Sequence, residues 1–376
     1  MKKLIFSILI IFLCLTSFAL ISCGEKTSEF NITYKLNGGA NSEENPSGYN
    51  AGDTITLDYP EKADYMFAGW YTDSAFTTEI KEIKDREENL TLYAKWIPVE
   101  EVFELSESNG EYKICTTLKK DVSTIIIPSS YNGLSITELG EDAFSECASL
   151  ENIVISNSII SISDKTFLLC PSLKQIKVEE DNSVYKSLDG VLYTKNGKVL
   201  LVYPAGKTEK SFDIPYGTEI VAEKAFYKNP YIADVNISNS VKEIGFNLCT
   251  AIESIKLPES VVKINGFYRC LSLKNISLSS NIETIPTYAF QDCTSLESIV
   301  IPNGIKKMGS MVFYRCLSLK SVVIPKSVTY VEYSIFEGCT SIDKVYCEAE
   351  SKPNGWYDSW DSDIKEIVWG HKESNK

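Results

Sequence analysis

Seven cysteines recur at a nearly constant spacing, and thiols at regular intervals could bind a metal, form disulfides or carry redox chemistry. Each follows a phenylalanine by three residues, and most successive cysteines lie 23 residues apart. A tetrahedral metal site is excluded, because the chain has no Cys-x-x-Cys pair and thiols spaced along a stack cannot surround one ion. Parallel side chains in such a stack point into the core, which predicts free thiols that pack as small hydrophobes. The predicted structural column is Cys147, Cys170, Cys249, Cys270, Cys293, Cys316 and Cys339; a disulfide or redox role is the alternative, above all for Cys115 and Cys347.

The other residues give little indication of acid–base or nucleophilic catalysis. The single histidine, His371, lies in a polar tail (371–376), which disfavours a Ser-His-Asp or Cys-His arrangement and a histidine zinc site. Paired carboxylates at 43–44 and 179–181 lie in polar, turn-like segments. The 37 basic and 51 acidic residues give a formal charge of −14, without a basic stretch after residue 3, which argues against nucleic-acid binding. The composition therefore predicts no catalytic residue, no metal and no cofactor.

The first 22 residues have the pattern of a secretory signal, with two lysines followed by an apolar run at 4–21. The sequence Leu-Ile-Ser-Cys at 20–23 resembles the bacterial lipoprotein box, which implies cleavage before Cys23 and a lipid on its sulfur. An uncleaved membrane-spanning helix is the alternative, because about 20 apolar residues can cross a bilayer. The mature chain would carry 35 basic and 51 acidic residues. We therefore expect membrane contact through the lipid alone, by way of a polar tether at 23–29.

Residues 30–97 predict a small β-domain. The segment 30–36 alternates apolar and polar residues and ends at an Asn-Gly-Gly turn, and two aromatic-rich strands follow at 66–71 and 90–96. The motifs Phe-Ala-Gly-Trp-Tyr and Leu-Tyr-Ala-Lys-Trp resemble the internalin B-type (Listeria/Bacteroides) repeat. This resemblance implies a β-grasp-like spacer. The expected core residues, for which a sugar-stacking platform is the alternative, are Phe67, Trp70, Tyr93 and Trp96.

Residues 124–347 form a repeat array that the chain enters through residues 98–123. Three residues after most of the cysteines comes a strand with apolar residues at alternate positions, such as Ile299 and Ile301, and a proline often ends it. One unit cannot bury its apolar face alone, but units stacked about 4.8 Å apart share a continuous core. We therefore expect about ten stacked strands, beginning near Ile125.

The order Leu-x-x-Ile-x-Ile-Pro, then Val or Ile, then Ala-Phe-x-x-Cys resembles the BspA-like (bacterial surface protein A type) leucine-rich repeat. The predicted fold class is therefore mainly β, with a small β-grasp-like domain followed by a leucine-rich-repeat solenoid. Three departures are informative. Asn229 replaces a cysteine, the Cys249 and Cys270 units have lost about three and two residues, and a hairpin with an Asn-Gly turn is inserted at 190–201. Local curvature should differ at the shortened units.

The C-terminal segment 348–370 breaks the period, and we expect it to cover the open end of the core. Its tryptophans are the predicted covering residues, with carbohydrate stacking as the alternative: Trp356, Trp360 and Trp369. Three nearby aspartates lack the glycine and distal glutamate of a calcium loop and are interpreted as a solvated loop: Asp358, Asp361 and Asp363.

Strand alternation predicts which residues face outward on the concave side of the solenoid. One outward column begins with Val154 and Lys177 and ends with three adjacent apolar residues, Val300, Val323 and Tyr346. Because exposed apolar clusters often mark contact sites, these three are the predicted centre of a protein-binding patch, unless the C-terminal segment folds over them. The predicted polar edge of the patch consists of Asn275, Ser298, Ser321 and Lys344.

Two classes of function remain. The resemblance to BspA-like proteins implies a non-enzymatic, adhesin-like protein, lipid-anchored at the bacterial cell envelope and exposed at the cell surface, whose solenoid contacts an extracellular protein or glycan. The alternative is a carbohydrate-binding or carbohydrate-active surface lipoprotein, and the active version would need a carboxylate pair in a cleft. We expect no nucleic-acid partner.

Overall fold

The computed structural model describes residues 28–361 and 363–372, so the signal segment, Cys23 and most of its tether lie outside the described residues. The first elements, in chain order, are β1 (Phe30–Lys35), β2 (Gly48–Tyr49), β3 (Ile55–Thr56), β4 (Tyr65–Tyr71), β5 (Glu79–Ile80), β6 (Glu82–Ile83), β7 (Leu90–Pro98), α1 (Val99–Val102), β8 (Phe103–Ser108) and β9 (Glu111–Thr117). The next are β10 (Thr124–Ile126), β11 (Ser130–Tyr131), β12 (Leu134–Leu139), β13 (Asn152–Ile155), β14 (Ser161–Ile162), β15 (Gln175–Val178), β16 (Tyr185–Leu188), β17 (Val191–Thr194), β18 (Val199–Val202), β19 (Ser211–Asp213), β20 (Ile220–Val221) and β21 (Asp234–Asn236). The last are β22 (Glu243–Gly245), β23 (Ser254–Lys256), β24 (Lys263–Gly266), β25 (Asn275–Ser277), β26 (Thr284–Ile285), β27 (Ser298–Val300), β28 (Lys307–Met308), β29 (Ser321–Ile324), β30 (Tyr330–Val331), β31 (Lys344–Cys347) and β32 (Glu366–Trp369). No helix in this part of the chain is long and apolar enough to cross a membrane.

The N-terminal module (residues 28–98) is built on a five-stranded mixed sheet in the order β2-β1-β7-β4-β5, with β1 and β7 parallel. Its core buries Leu92 together with Phe67 and Trp70, and the Trp96 ring lies 5.5 Å from that of Phe67. Tyr93 differs from the prediction. It is only half-buried, because alternation along β7 points it away from the face that buries Leu92. The mixed sheet is compatible with a β-grasp-like module, and that finer description stays a prediction.

The segment after the module closes the N-terminal end of the solenoid. β8 and β9 form a hairpin through Asn109 and Gly110, which both have positive φ, as a type I′ turn requires. β9 pairs in parallel with β12 of the first coil. Phe103 and Ile114 are buried in the first solenoid core cluster. The hairpin therefore supplies the partner that the first coil would otherwise lack.

The side of the solenoid that we call the concave face carries eleven short parallel strands. They form three hydrogen-bonded groups, β10-β13-β15, β19-β21 and β23-β25-β27-β29-β31-β32. In most of them a buried residue lies between outward neighbours, as Ile276 does between Asn275 and Ser277. Ten of these strands lie within residues 124–347 and confirm the predicted stack, and the C-terminal segment adds β32 as the eleventh.

Behind the concave strands, each coil continues through a second short strand to the Phe-x-x-Cys turn. The phenylalanine rings of successive coils stack, with centroids 5.5 Å apart between Phe267 and Phe290 and 5.6 Å apart between Phe290 and Phe313. Burying one such ring contributes about 1.5–3 kcal/mol, so the stack is a principal source of stability. The rings and the inward aliphatic side chains form two buried clusters that meet at the inserted hairpin.

The predicted insertion at 190–201 is a hairpin. β17 and β18 pair antiparallel, and Gly197 of the Asn-Gly turn has a φ of 74°. β16 also pairs with β17, so the insertion is a three-stranded meander. Beyond it, Tyr203 takes a place in the ring stack, 5.0 Å from Phe226. The amide of Asn229, which stands where other coils have cysteine, donates to the Pro204 carbonyl at 3.1 Å.

The shortened units have lost residues between the second strand and the phenylalanine. β22 ends immediately before Phe246 and β24 immediately before Phe267, whereas four residues separate β26 from Phe290. The concave sheet is interrupted between β21 and β23, at the first shortened unit. The expected difference in local curvature at the shortened units stays a prediction.

The N-terminal module packs against the first strands of the concave face. Met66 of β4 belongs to the first solenoid core cluster, and Ile126 of β10 packs against the core of the module. Lys177 of β15 forms an ion pair with Asp58 of the module, with Nζ and Oδ1 3.1 Å apart. Val154, which lies between Ile126 and Lys177 in the register, is only 4% exposed. Val154 therefore lies in the outward column, as strand alternation predicts, but it is buried, because the module packs over this part of the face.

The C-terminal segment forms one further coil with tryptophans in place of the usual core residues. Trp356 forms a bridge to Val331 of β30, and β32 extends the concave sheet beside β31. The Trp360 ring meets Phe336 edge-on, with centroids 6.4 Å apart, at the end of the ring stack. Trp356 and Trp360 are buried, and Trp369 is half-buried against them. Burial leaves the first two unavailable for stacking on a carbohydrate.

Candidate binding surface

The C-terminal half of the concave face carries a continuous apolar column. Cross-strand register aligns Val300 with Val323, Val323 with Tyr346, and Tyr346 with Val368. Inward neighbours such as Val322 and Val345 are buried, and this fixes the opposite direction for the column. Val300 is 74% exposed, while Val323, Tyr346 and Val368 are half-buried. The structure therefore brings together the three predicted residues and adds Val368, and we call these four residues the apolar column.

His371 lies over one end of the apolar column. Its ring centroid is 4.7 Å from that of Tyr346, and its backbone N–H donates to the Cys347 carbonyl at 3.0 Å. The beginning of the predicted polar tail thus folds back onto the sheet and covers Tyr346 in part. Val300 and Val323 lie farther along the column, and Val300 is the most exposed of its members.

The predicted polar edge lies in the neighbouring outward column. The Ser298 hydroxyl donates to Asn275 Oδ1 at 3.3 Å, and Ser321 follows on the next strand. Lys344 pairs with Glu366 at 3.0 Å, and this contact raises the pKa of the lysine. The edge therefore offers neutral hydroxyl and amide groups, with its one lysine already paired to a carboxylate.

Toward the N-terminus the apolar column gives way to an open polar trough of about 1190 Å³. Its floor spans β19 to β27, and at its C-terminal end it includes Val300, the first residue of the apolar column. Its outward side chains include Asp213, Asp234, Asn236, Lys256, Asn275 and Ser277. The concave face thus has three successive parts: one covered by the module, a polar trough and the apolar column.

The cysteines of the repeat lie in one buried column behind this face. All nine cysteines within the described residues are free thiols, and those of the Phe-x-x-Cys turns are buried. From Cys170 onward, each turn thiol donates to the carbonyl oxygen of the phenylalanine in the preceding coil, as Cys316 does to Phe290 at 3.1 Å and Cys339 to Phe313 at 2.9 Å. Burial raises the pKa of Cys170, Cys270 and Cys339 to about 12. Sequence reasoning placed these residues but missed their hydrogen bonds.

The other sites considered from the sequence are tied into the structure. Asp358 pairs with Lys352, and Asp363 accepts a hydrogen bond from the Gly338 N–H at 3.0 Å. Within residues 28–361 and 363–372, no group of three or more histidine, cysteine or acidic side chains is placed to hold a metal ion. The predicted lipidation residue, Cys23, lies outside this part of the chain.

The repeat pattern agrees with a known family model. The BspA type leucine rich repeat region matches residues 115–190 and 218–343, in six copies. The chain belongs to this family. The Listeria-Bacteroides repeat domain matches residues 30–95. Both resemblances inferred from the motifs are thereby confirmed. Membership of this bacterial surface family suggests a protein-binding role at the cell surface, and no catalytic domain is indicated.

Similar solved structures are also leucine-rich repeat proteins of bacteria. One from Eubacterium ventriosum is 26% identical, with a TM-score of 0.46, over 57% of this chain and 64% of that one. A leucine rich cell surface protein from Faecalibacterium prausnitzii is 24% identical, with a TM-score of 0.41, over 68% and 62%. Pneumococcal vaccine antigen PcpA is 23% identical, with a TM-score of 0.41, over 67% and 69%. The chain thus covers less than two thirds of the first two. No curated protein matches it.

Proposed function

We propose that this chain is a non-enzymatic, adhesin-like protein of the bacterial cell envelope, held by a lipid on Cys23 and exposed at the cell surface. Its partner is an extracellular protein, contacted through the apolar column. The observation that carries this proposal is the alignment of Val300, Val323 and Tyr346 in an otherwise polar face, with Val300 74% exposed. Contiguous apolar surface with a polar rim is typical of protein contact sites.

The arrangement suits recognition better than catalysis. Val300 and Val323 supply apolar contact area, Tyr346 adds an aromatic ring, and the neighbouring serines and Asn275 can hydrogen-bond a partner at the margin. The strand backbone is already ordered, so little backbone conformational entropy is lost when these residues are covered.

The proposal is tested with the purified mature chain on a panel of extracellular-matrix proteins. Once a ligand is found, Val323→Asp and Tyr346→Ala should each weaken binding at least about tenfold, the scale of a contact hot spot, and leave the melting temperature nearly unchanged. Val262→Asp is the matched control, because Val262 is 53% exposed and lies outside the concave strands. Full binding by a folded Val323→Asp, Tyr346→Ala double variant would move the site elsewhere.

The lipid anchor is tested separately. Cys23→Ala should leave an uncleaved precursor or release the protein from membranes, because the acylated sulfur would be lost. Partitioning into the detergent phase of a Triton X-114 extract measures this directly. Normal processing and normal partitioning of the variant would contradict lipidation and leave the binding proposal unaffected.

A carbohydrate ligand is the second candidate, and the polar trough is the observation that favours it. Asp213, Asp234 and Asn236 offer carboxylate and amide groups of the kind that hydrogen-bond sugar hydroxyls. A glycan array separates the two candidates. Loss of glycan binding in Asp234→Ala, with Val323→Asp unaffected, would place the ligand in the trough and not on the apolar column.

A further inference from the structure

Two coils of the solenoid carry the same eight residues in their turns. The sequence Phe-Tyr-Arg-Cys-Leu-Ser-Leu-Lys stands at 267–274 and again at 313–320. One coil, with Phe290-Gln-Asp-Cys, lies between them, and the three phenylalanine rings stack at steps of 5.5 and 5.6 Å. The identical segments are therefore presented side by side on the turn side of the solenoid, two stacking steps apart.

These segments expose an unusual set of side chains. Arg269 and Arg315 are the only arginines of the solenoid, and their side chains are 52% and 55% exposed. Leu271 and Leu317 beside them are 41% and 38% exposed. We call these four residues the arginine face. Backbone bonds hold it in place, because the Arg269 N–H donates to Gln291 and the Arg315 N–H to Glu337 of the next coil.

The charges of the arginine face are only partly neutralised. Among the described residues, Asp292, in the coil between, is the carboxylate that pairs with both guanidiniums: its Oδ2 lies 3.9 Å from Arg269 Nε, and its Oδ1 lies 3.4 Å from Arg315 Nε. The lysines that end the same two segments differ. Lys274 pairs with Glu253 at 2.8 Å and Lys320 with Glu297 at 3.2 Å. Two arginines that share one aspartate leave a local positive charge on a chain of net charge −14.

We propose that the arginine face binds an acidic polypeptide segment that carries apolar residues between its carboxylates. Guanidinium groups bind carboxylates through two parallel hydrogen bonds, and here both arginine side chains are more than half exposed and approach Asp292 through Nε. The exposed leucines favour a polypeptide over a sulfated glycan, because they offer apolar contact beside each charge. The acidic remainder of the surface repels such a segment and directs it to this face.

The spacing of the two arginines sets the spacing of the ligand. A peptide in the polyproline II conformation rises about 3.1 Å per residue with three residues per turn, so carboxylates three residues apart lie on the same side of the peptide and about 9 Å apart, close to two stacking steps. A fluorescein-labelled peptide with the sequence Glu-Leu-Leu-Glu between glycines is therefore the probe, and its Gln-Leu-Leu-Gln version is the uncharged comparison. Fluorescence anisotropy at low salt measures the affinity, because exposed charge pairs are screened by salt.

Matched double variants decide the proposal. Arg269→Gln with Arg315→Gln should weaken binding of the Glu-Leu-Leu-Glu peptide by about tenfold or more. Lys274→Gln with Lys320→Gln removes the same charge from the same two segments and should change the affinity less than about twofold, because those lysines are already paired. Leu271→Ser with Leu317→Ser should weaken it several-fold. Circular dichroism and the melting temperature confirm that each variant is folded.

Four outcomes would overturn the proposal. They are no binding of the peptide to the unaltered chain, equal binding of the Gln-Leu-Leu-Gln peptide, equal loss in the arginine and lysine variants, and binding of a sulfated polysaccharide without binding of the peptide. None of them bears on the apolar column, which lies on the concave strands. The failure of one proposal is therefore distinguishable from the failure of the other.

Discussion

The two ends of the concave face follow the same strand alternation but differ in exposure. At the N-terminal end the outward residues Ile126 and Val154 are apolar, and the module packs over them. At the C-terminal end Val300 and Val323 stand in the same column, and Val300 remains 74% exposed. Between the two ends the outward positions are polar.

This difference teaches that apolar residues on the outward side of this solenoid are used for packing. Where the chain supplies a partner, as the module does for Val154, the contact is made within the molecule. His371 supplies only part of such a partner at the C-terminal end, because it covers Tyr346 and not Val300. Because the equivalent apolar residues at the covered end are used for packing, the covered end supports our proposal that the open end binds a second molecule.

The largest expected effect is a loss of stability at high pH, and it tests whether buried thiols lie beneath both ends of the concave face. Burial raises the pKa of Cys170, beneath the covered end, of Cys270, beneath the polar trough, and of Cys339, beneath the open end, from about 9 to about 12. The unfolded chain ionises these thiols near pH 9 and the folded chain does not. The stability they contribute is therefore fully present below pH 9 and is lost as the pH rises toward 12, by about 1.4 kcal/mol per pH unit for each thiol.

Urea unfolding between about pH 8 and 11 measures this loss, with far-ultraviolet circular dichroism and tryptophan fluorescence as separate probes. We expect the free energy of unfolding to decline steeply above pH 9, with both probes in one transition. A flat profile would contradict the buried thiol column. Two separate transitions would show that the covered and open ends unfold independently.

The next prediction compares the effect of the same valine-to-aspartate substitution on the free energy of unfolding at the two ends. Val154→Asp places a charge beneath the module and should lower the free energy of unfolding by about 3–5 kcal/mol, or release the module. Val300→Asp places the same charge in solvent and should change it by about 0.5 kcal/mol or less. Chemical denaturation of both variants gives the difference. Similar losses at the two positions would mean that the open end is also covered.

These residues show which features of the fold and of the binding surface can be predicted from the sequence. The alternation that places Ile299 inward and Val300 outward, the phenylalanine-cysteine spacing and the Asn-Gly turn of the hairpin all depend on residues close in sequence, so local patterns can encode them. Docking of the module depends on contacts such as that of Asp58 with Lys177, 119 residues apart, which no local pattern encodes. The folding of His371 onto Tyr346 was missed for the same reason. The place of Val368 in the apolar column was not predicted, because the segment 348–370 was expected only to cover the open end of the core.

A smaller expected effect is the stability cost of substituting Cys316. The hydrogen bond of its thiol changes what is expected from the sequence. From sequence alone, Cys316→Ser should cost about 1–3 kcal/mol, because a hydroxyl would lie unpaired among apolar groups. The Phe290 carbonyl, 3.1 Å from the sulfur, can accept from a serine instead. We therefore expect Cys316→Ala to cost about 2 kcal/mol, through the lost volume and the unpaired carbonyl, and Cys316→Ser to cost less. Urea unfolding ranks the two, and the reverse order would show that the thiol acts only as a hydrophobe.

The smallest effect tests how the module is held. Lys177 lies 5.3 Å above the Tyr59 ring and 3.1 Å from the Asp58 carboxylate. Burial tends to raise the pKa of Asp58, but hydrogen bonds from Ser42 and Lys177 outweigh it and leave the pKa below its usual value. The side chain of Lys177 is half-exposed, so solvent screens the pair. A double-mutant cycle of Lys177→Met and Asp58→Asn should therefore give a coupling free energy of only about 0.5–1 kcal/mol.

Lys174 and Glu151 provide the control for this cycle, because they form an exposed ion pair between neighbouring coils, and the charge of Lys81 in the module acts on Glu151 more weakly than Lys174 does. Their coupling should be smaller than that of Lys177 and Asp58, since neither an aromatic ring nor partial burial supports it. Amide hydrogen exchange of β4 supplies the second measurement. Faster exchange there in Lys177→Met, but not in Lys174→Met, would show that the pair helps to keep the module on the concave face. Equal couplings and unchanged exchange would mean that the module is held by apolar packing at Met66, Ile126 and Val154, and the Val154→Asp variant would then be the one that separates the two ends.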